Sequence, residues 1–223
     1  MKRHCVTLLL AALSLPCPAW SPRTHTLQTR LAKGLIPKAM ARFLDGHEAV
    51  LLEAAGGIDN TQTPAPEDVE VQFLKVLRIS EDKRPDREII RELGRLGNMV
   101  QLLTDPSATG GFTFTRKVFS SFADEHIKKL VAVREPLFAA QGELSPRSAL
   151  EVWSRVKHER HRILQRYVDT ETGARIGAWD TLSVPFATMQ LGFSSGVNAT
   201  ANLWILAWRA VGDNWALGKN SGE

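Results

Sequence analysis

Trp20 and His25, five positions apart, are the residues whose types and spacing best suit a metal site. If proteolysis made Trp20 the first residue, its α-amino group and carbonyl oxygen would form a compact chelating pair. An imidazole one helical turn further on could complete the same coordination face. The alternative interpretation is structural, with Trp20 as a buried side chain at a helix entry and His25 as an ordinary capped surface histidine.

Residues 1–19 have the pattern of a secretory signal peptide, so Trp20 is the predicted first residue of an exported protein, periplasmic or secreted. Lys2 and Arg3 supply the positive start, residues 6–15 the apolar stretch and residues 17–19 a small-residue cleavage site. The apolar stretch is too short to span a bilayer. No transmembrane segment is therefore expected after processing.

Removal of this signal changes the charge and the cysteine content. The full chain has a formal charge of +4, and residues 1–19 contain Lys2 and Arg3 but no acid, so +2 remains. Such a small charge gives no strong nucleic-acid signal. Cys5 and Cys17, the two cysteines of the chain, both fall in the signal. The mature protein therefore has no disulfide framework and no thiol nucleophile.

The segment Trp20-Ser-Pro-Arg-Thr-His25 resembles the mature start of the zinc-dependent phospholipase C and S1/P1 nuclease superfamily. Proteins of this superfamily are secreted and all-α. Further segments resemble, in the right order, the family's aspartate segment, its central helix, its later histidine helix and its closing helix: residues 57–59, 93–106, 161–168 and 202–212. The resemblance implies that Trp20, His25, Asp59 and His161 are metal ligands. It also implies that Asp59 contacts the attacking water, which makes Asp59 the one catalytic candidate.

The central helix departs from the family motif His-x3-Asp-x5-His. If Pro106 is kept in register, the three ligand positions hold Asn98, Leu102 and Ala108. A shifted register that retains Asp105 as the aspartate places Gln101 and Gly111 at the two histidine positions. Neither register restores the histidines, and a neutral amide is a poor zinc ligand.

Two further ligand positions are changed. The histidine expected after Asp59 falls near Gln72, and the later His-x3-Glu pair is His161 with Gln165. The retained set of Trp20, His25, Asp59 and His161 could hold at most one zinc ion. A protein without any cofactor is an equally plausible prediction. We expect these four residues to converge, with Asn98 and Gln165 beside them.

These substitutions leave two functions open, and whether the protein is an enzyme is uncertain. One is an exported phospholipase C/P1 nuclease-like hydrolase with a degenerate metal site and residual or altered phosphodiester hydrolase activity. The other is a non-catalytic binding protein of the cell envelope, a pseudoenzyme that uses the old active-site cleft. The family implies a phosphodiester or phospholipid ligand, and the oligomeric state is left open.

The apolar spacing that must position these residues is helical. It predicts an all-α fold over residues 20–223, a single-domain multi-helix bundle resembling the phospholipase C/P1 nuclease fold. Residues 69–79 fit either a strand or a helix. The predicted helices cover residues 24–44 with a break at Pro37, 47–55, 84–103, 114–138, 145–169 and 184–212. The predicted core comprises Leu96, Val100, Leu103, Phe119, Phe122, Ile127, Leu130, Val131, Leu164, Leu203 and Leu206.

Overall fold

A computed structural model describes residues 20–57, 63–108, 113–137, 146–169 and 171–211. Over these ranges the protein is all-α, as predicted, with an isolated β-bridge between Val168 and Arg175 as its one extended pairing. The helices are α1 (Pro22–Lys33), α2 (Lys38–Asp45), α3 (Glu48–Gly56), α4 (Pro66–Glu81), α5 (Asp86–Thr104), α6 (Thr113–Glu125), α7 (Pro146–Leu164) and α8 (Val184–Val211). None of these helices is both long and apolar enough to cross a membrane. The predicted signal, residues 1–19, lies outside the described ranges.

Helix α5 lies at the centre and packs against α1, α3, α4, α7 and α8. Small residues let the backbone of α5 approach that of α8. A Cβ added at Gly97 would lie 3.3 Å from Cγ2 of Thr200. The indole N–H of Trp204 donates to the Leu93 carbonyl oxygen over 3.0 Å. This contact fixes α8 along α5 and places their polar side chains in register.

The predicted core is largely confirmed. Most of the predicted positions are buried: Leu96, Val100, Leu103, Phe119, Phe122, Ile127, Leu130, Leu164 and Leu203. Leu206 is half-buried, because Leu203, Trp204 and Ile205 occupy the interior side of α8. The predicted break at Pro37 is also confirmed, since it separates α1 from α2.

Residues 69–79 form a helix, part of α4. Val69, Phe73 and Val76 are buried at helical spacing, whereas Val71 is 67% exposed, so the strand interpretation is wrong. Pro66 begins the helix, as proline does readily at the first helical position.

The predicted helix over residues 114–138 is too long. Helix α6 ends at Glu125, a 3₁₀ turn follows over Ile127–Lys129, and residues 130–137 have no regular helix. Val131, predicted as core, is 60% exposed. Backbone N–H groups of this segment donate to side chains of α8 instead of to carbonyl oxygens of a continued helix.

Candidate functional site

Trp20 lies at the entry to α1 and is fully buried. Its ring centroid is 5.4 Å from that of Phe119 on α6. Ser21 caps α1 by accepting from the Thr24 N–H, and its hydroxyl donates to Asp124 over 2.5 Å. The start of α1 is thereby attached to α6. The structural interpretation of Trp20 is thus confirmed, while its role as a metal ligand remains a prediction.

His25 is fully buried, so the interpretation of it as a surface histidine is wrong. Its Nδ1 lies 2.7 Å from Oε1 of Gln101 on α5. The Gln101 amide nitrogen donates to the hydroxyls of Thr29 and Thr200, over 3.1 and 3.3 Å. This amide orientation leaves Oε1 as the acceptor for His25. Burial lowers the pKa of His25 to about 4, although the Gln101 hydrogen bond opposes the shift.

The Nε2 atom of His25 is buried and has no hydrogen-bond partner in the part of the chain that the structure describes. Because Nδ1 donates to an amide oxygen, Nε2 carries the lone pair of a neutral imidazole. An unpaired buried acceptor is costly, and such an atom in a folded protein calls for an explanation. The lone pair of Nε2 is therefore a candidate feature for ligand binding.

Asp105 follows the end of α5 and is also fully buried. Its Oδ1 accepts from the N–H and the hydroxyl of Ser107, over 2.7 and 2.8 Å, whereas Oδ2 has no partner among the described residues. Burial raises the pKa of Asp105 to about 6. The Ser107 hydrogen bonds and the charges of Arg116 and Lys157 oppose this rise.

Lys157 on α7 is 4% exposed, which is rare for a lysine. Burial lowers its pKa to about 8; the charge of Asp105 opposes this shift, and that of Arg116 adds to it. Arg116 donates to Thr63 over 3.2 Å. The carboxylate of Asp105 is thus accompanied by two cations from α6 and α7.

His161 lies one turn after Lys157 and is 6% exposed. Its Nδ1 donates to the Pro106 carbonyl oxygen over 2.9 Å. Burial lowers the pKa of His161, the Pro106 hydrogen bond opposes the shift, and the charges of His158 and Lys157 lower it further. We call Asp105, Ser107, Arg116, Lys157 and His161 the α5-end cluster.

Asn98 turns away from His25. Its amide nitrogen donates to the Ala55 carbonyl oxygen on α3 over 2.6 Å. The place beside His25 that we expected for Asn98 is occupied by Gln101, one of the residues of the shifted register. Gln165 lies in a 3₁₀ turn after α7 and is half-buried. Asp59 lies outside the described residues, so its catalytic and metal-binding roles remain predictions.

Asn98 instead lines a cavity of about 790 Å³ between α4 and α5. Thr63, at the edge of this cavity, is also the residue that accepts from Arg116. Its hydroxyl donates to the Ala108 carbonyl oxygen, three residues after Asp105. The cavity therefore adjoins the α5-end cluster.

The donor atoms of the described residues do not make up the zinc cluster of the resembling family, and Asp59 lies outside these residues. Within the described ranges no three side chains among His, Cys, Asp and Glu lie close enough together to hold a metal ion. His25 is bonded to a neutral amide, and Asp105 is accompanied by a lysine and an arginine. The lysine and the arginine supply positive charge at a place where a zinc site would need negative charge.

Sequence reasoning missed Lys157. It lies in a run with Arg155, His158 and Arg160, a pattern typical of a solvated face. The available signal was the spacing of four residues to His161, which places both side chains on one face of α7.

No family model, curated protein or solved structure matches the chain.

Proposed function

We propose that this chain is an exported, non-catalytic binding protein of the phospholipase C/P1 nuclease type. Its former active-site cleft would bind an anionic phosphodiester, free or as a phospholipid headgroup. The observation that carries the proposal is the α5-end cluster, in which the buried Lys157 and the half-buried Arg116 accompany one carboxylate, that of Asp105. Export rests on the sequence of residues 1–19.

The charges of the cluster favour a monoanionic ligand. Asp105 carries at most one negative charge, while Arg116 is always charged and Lys157 is protonated at neutral pH, given a pKa of about 8. A phosphodiester carries one negative charge, and its oxygens accept hydrogen bonds from both cations. Binding would thus neutralise the positive charge that the fold has enclosed.

Phosphodiester hydrolysis in the resembling family depends on metal-bound hydroxide and on metals that stabilise the leaving oxygen. Here His25 donates to Gln101, and the shifted register leaves Asp105 as the one acidic position of the central motif. Ligand binding does not require the missing histidines. The cleft therefore suits binding better than hydrolysis.

The test is titration of the processed protein with bis(4-nitrophenyl) phosphate, which reports both binding and cleavage. We expect Lys157→Met to weaken binding about tenfold, the loss of one charge-assisted contact. Lys128→Met, an exposed lysine on the 3₁₀ turn, should bind like the wild type. Equal affinity for all three proteins, at unchanged thermal stability, would contradict the proposal.

A residual hydrolase is the second candidate, and it is favoured by two buried atoms that have no partner within the described ranges, Nε2 of His25 and Oδ2 of Asp105. In that case zinc would promote release of 4-nitrophenolate from the same probe, and His25→Ala would abolish it. Binding without release favours the first proposal.

A further inference from the structure

Residues 131–135 run alongside α8 and are held there by its side chains rather than by another strand. The N–H groups of Val131, Val133 and Glu135 donate to Gln190, Ser194 and Asn198, over 3.2, 3.1 and 3.2 Å. The carbonyl oxygens of Val131 and Val133 accept from the Gln190 and Asn198 amides. Three side chains at a spacing of four residues thus replace a neighbouring β-strand.

Every second residue of this segment bonds to α8, so the backbone groups of the residues between them face away from α8. In an extended chain, successive residues direct their N–H and C=O groups to opposite sides. Odd-numbered residues bond to α8, and the backbone groups of Ala132 and Arg134 have no hydrogen-bond partner among the described residues. An open edge of this kind is a template for an added strand.

The side chains beside this edge are apolar and cationic. Val131 and Val133 are 60% and 56% exposed, and Lys128, Lys129 and Arg134 are exposed as well. The acid of the segment, Glu135, interacts with the charge of Arg160. A groove of about 580 Å³ continues from Leu130 onto α1, where Arg23 and Arg30 line it together with Lys128.

We propose that residues 131–135 are a docking edge for an extended acidic segment of a partner protein, which binds as an added β-strand. Its backbone would pair with Ala132 and Arg134. Its acidic side chains would lie beside Arg134, and its apolar side chains beside Val131 and Val133. A second copy of this chain fits less well, because its own lysines and arginines would face those already present.

The direct test is residue-resolved amide exchange on the full chain, with acetyl-Glu-Val-Glu-Val-Glu-Val-amide as the probe. Without the peptide, the amides of Val131, Val133 and Glu135 should exchange slowly and those of Ala132 and Arg134 fast. The peptide should slow exchange at Ala132 and Arg134 at least tenfold. Protection of these two amides before peptide addition, or no change after it, would overturn the proposal.

A pair of substitutions distinguishes the contribution of the backbone N–H to peptide binding from that of the side-chain charge. Arg134→Pro removes the N–H and the charge, and proline is compatible with an extended segment. Arg134→Ala removes the charge alone. We expect Arg134→Pro to bind the peptide about tenfold more weakly than Arg134→Ala. Equal binding by the two variants would exclude strand addition.

Two peptide controls leave the protein unchanged, so they remain informative if the proline variant fails to fold. N-methylation of alternate peptide nitrogens should abolish binding in one register, and replacement of glutamate by lysine should abolish it through charge. A peptide that binds equally well in all forms would contradict the proposal. If sedimentation shows a dimer to which the peptide does not bind, the edge is an interface with a second copy of the chain and the proposal is wrong.

Discussion

The Nδ1–H of His25 donates to Oε1 of Gln101 over 2.7 Å, joining two buried residues that lie 76 positions apart in the chain. Burial lowers the pKa of His25 to about 4, so the imidazole is neutral at pH 7, and the amide-oxygen acceptor places its proton on Nδ1. Its other nitrogen is buried and has no partner among the described residues. The bond connects α1 to the centre of the protein, whereas burial dominates the pKa of His25.

His25 should make the protein less stable as the pH falls from about 6.5 to about 4. The unfolded state binds a proton near pH 6.5, whereas burial lowers the folded-state pKa to about 4. Stability is therefore lost within this window, by up to about 3 kcal/mol. Chemical unfolding at pH 4.5 and pH 7.5 should show a smaller loss for His25→Gln than for the wild type. His158→Gln provides the comparison: its position is exposed and burial and the charges of Lys157 and Arg162 lower its pKa in the same direction, so it should reduce the loss by less than His25→Gln does.

Asp105 should have the opposite pH dependence. Burial raises its folded-state pKa from 3.8 to about 6, so its contribution is fully present below pH 3.8 and is lost as the pH rises through 6. Asp105→Asn keeps Oδ1 as the acceptor for Ser107 and removes the buried charge. We expect the variant to gain up to about 3 kcal/mol over the wild type between pH 4 and pH 8. A stability difference that is constant over this range would contradict the assignment.

Gly192 on α8 allows Pro106 to pack closely. A Cβ at this position would lie 2.6 Å from Cδ of Pro106, whose carbonyl oxygen accepts from His161. We expect Gly192→Ala to lower the free energy of unfolding by about 1–3 kcal/mol through overpacking. Leu191→Ala, at a 51% exposed position on the same helix, should change it by no more than about 0.5 kcal/mol.

Processing is predicted to expose Trp20. N-terminal sequencing of exported protein should begin with Trp-Ser-Pro-Arg-Thr-His, since residues 17–19 provide the cleavage site. Cleavage elsewhere would remove the α-amino group from the predicted metal ligands and would weaken the family resemblance at its most specific segment.

The helical architecture was predictable because the apolar spacing and the prolines are local signals. Pro37 separates two helices, and the periodic leucines of α5 are buried as expected. The segment after α6 was not predictable in the same way. Its conformation depends on Gln190, Ser194 and Asn198, whose spacing of four residues carries meaning only when α8 lies alongside.

The candidate site was predictable in part. His25 was identified from its spacing to Trp20 and His161 from the resemblance; both are buried, His25 against Gln101 on α5 and His161 against Pro106, two residues after α5. The choice between registers was not possible from sequence, because Asn98 and Gln101 are both amides on one helix. Their partners on α3 and α1 distinguish them. A buried lysine such as Lys157 has no local signal that separates it from its exposed neighbours.

The most direct test of the proposed function is the zinc content of the processed protein, measured by elemental analysis together with hydrolysis of bis(4-nitrophenyl) phosphate. We predict at most one zinc ion per chain, removable by a mild chelator, with binding of the probe retained and no 4-nitrophenolate released. Three tightly bound zinc ions, with turnover that is lost on chelation and in His25→Ala, would contradict a non-catalytic binding protein.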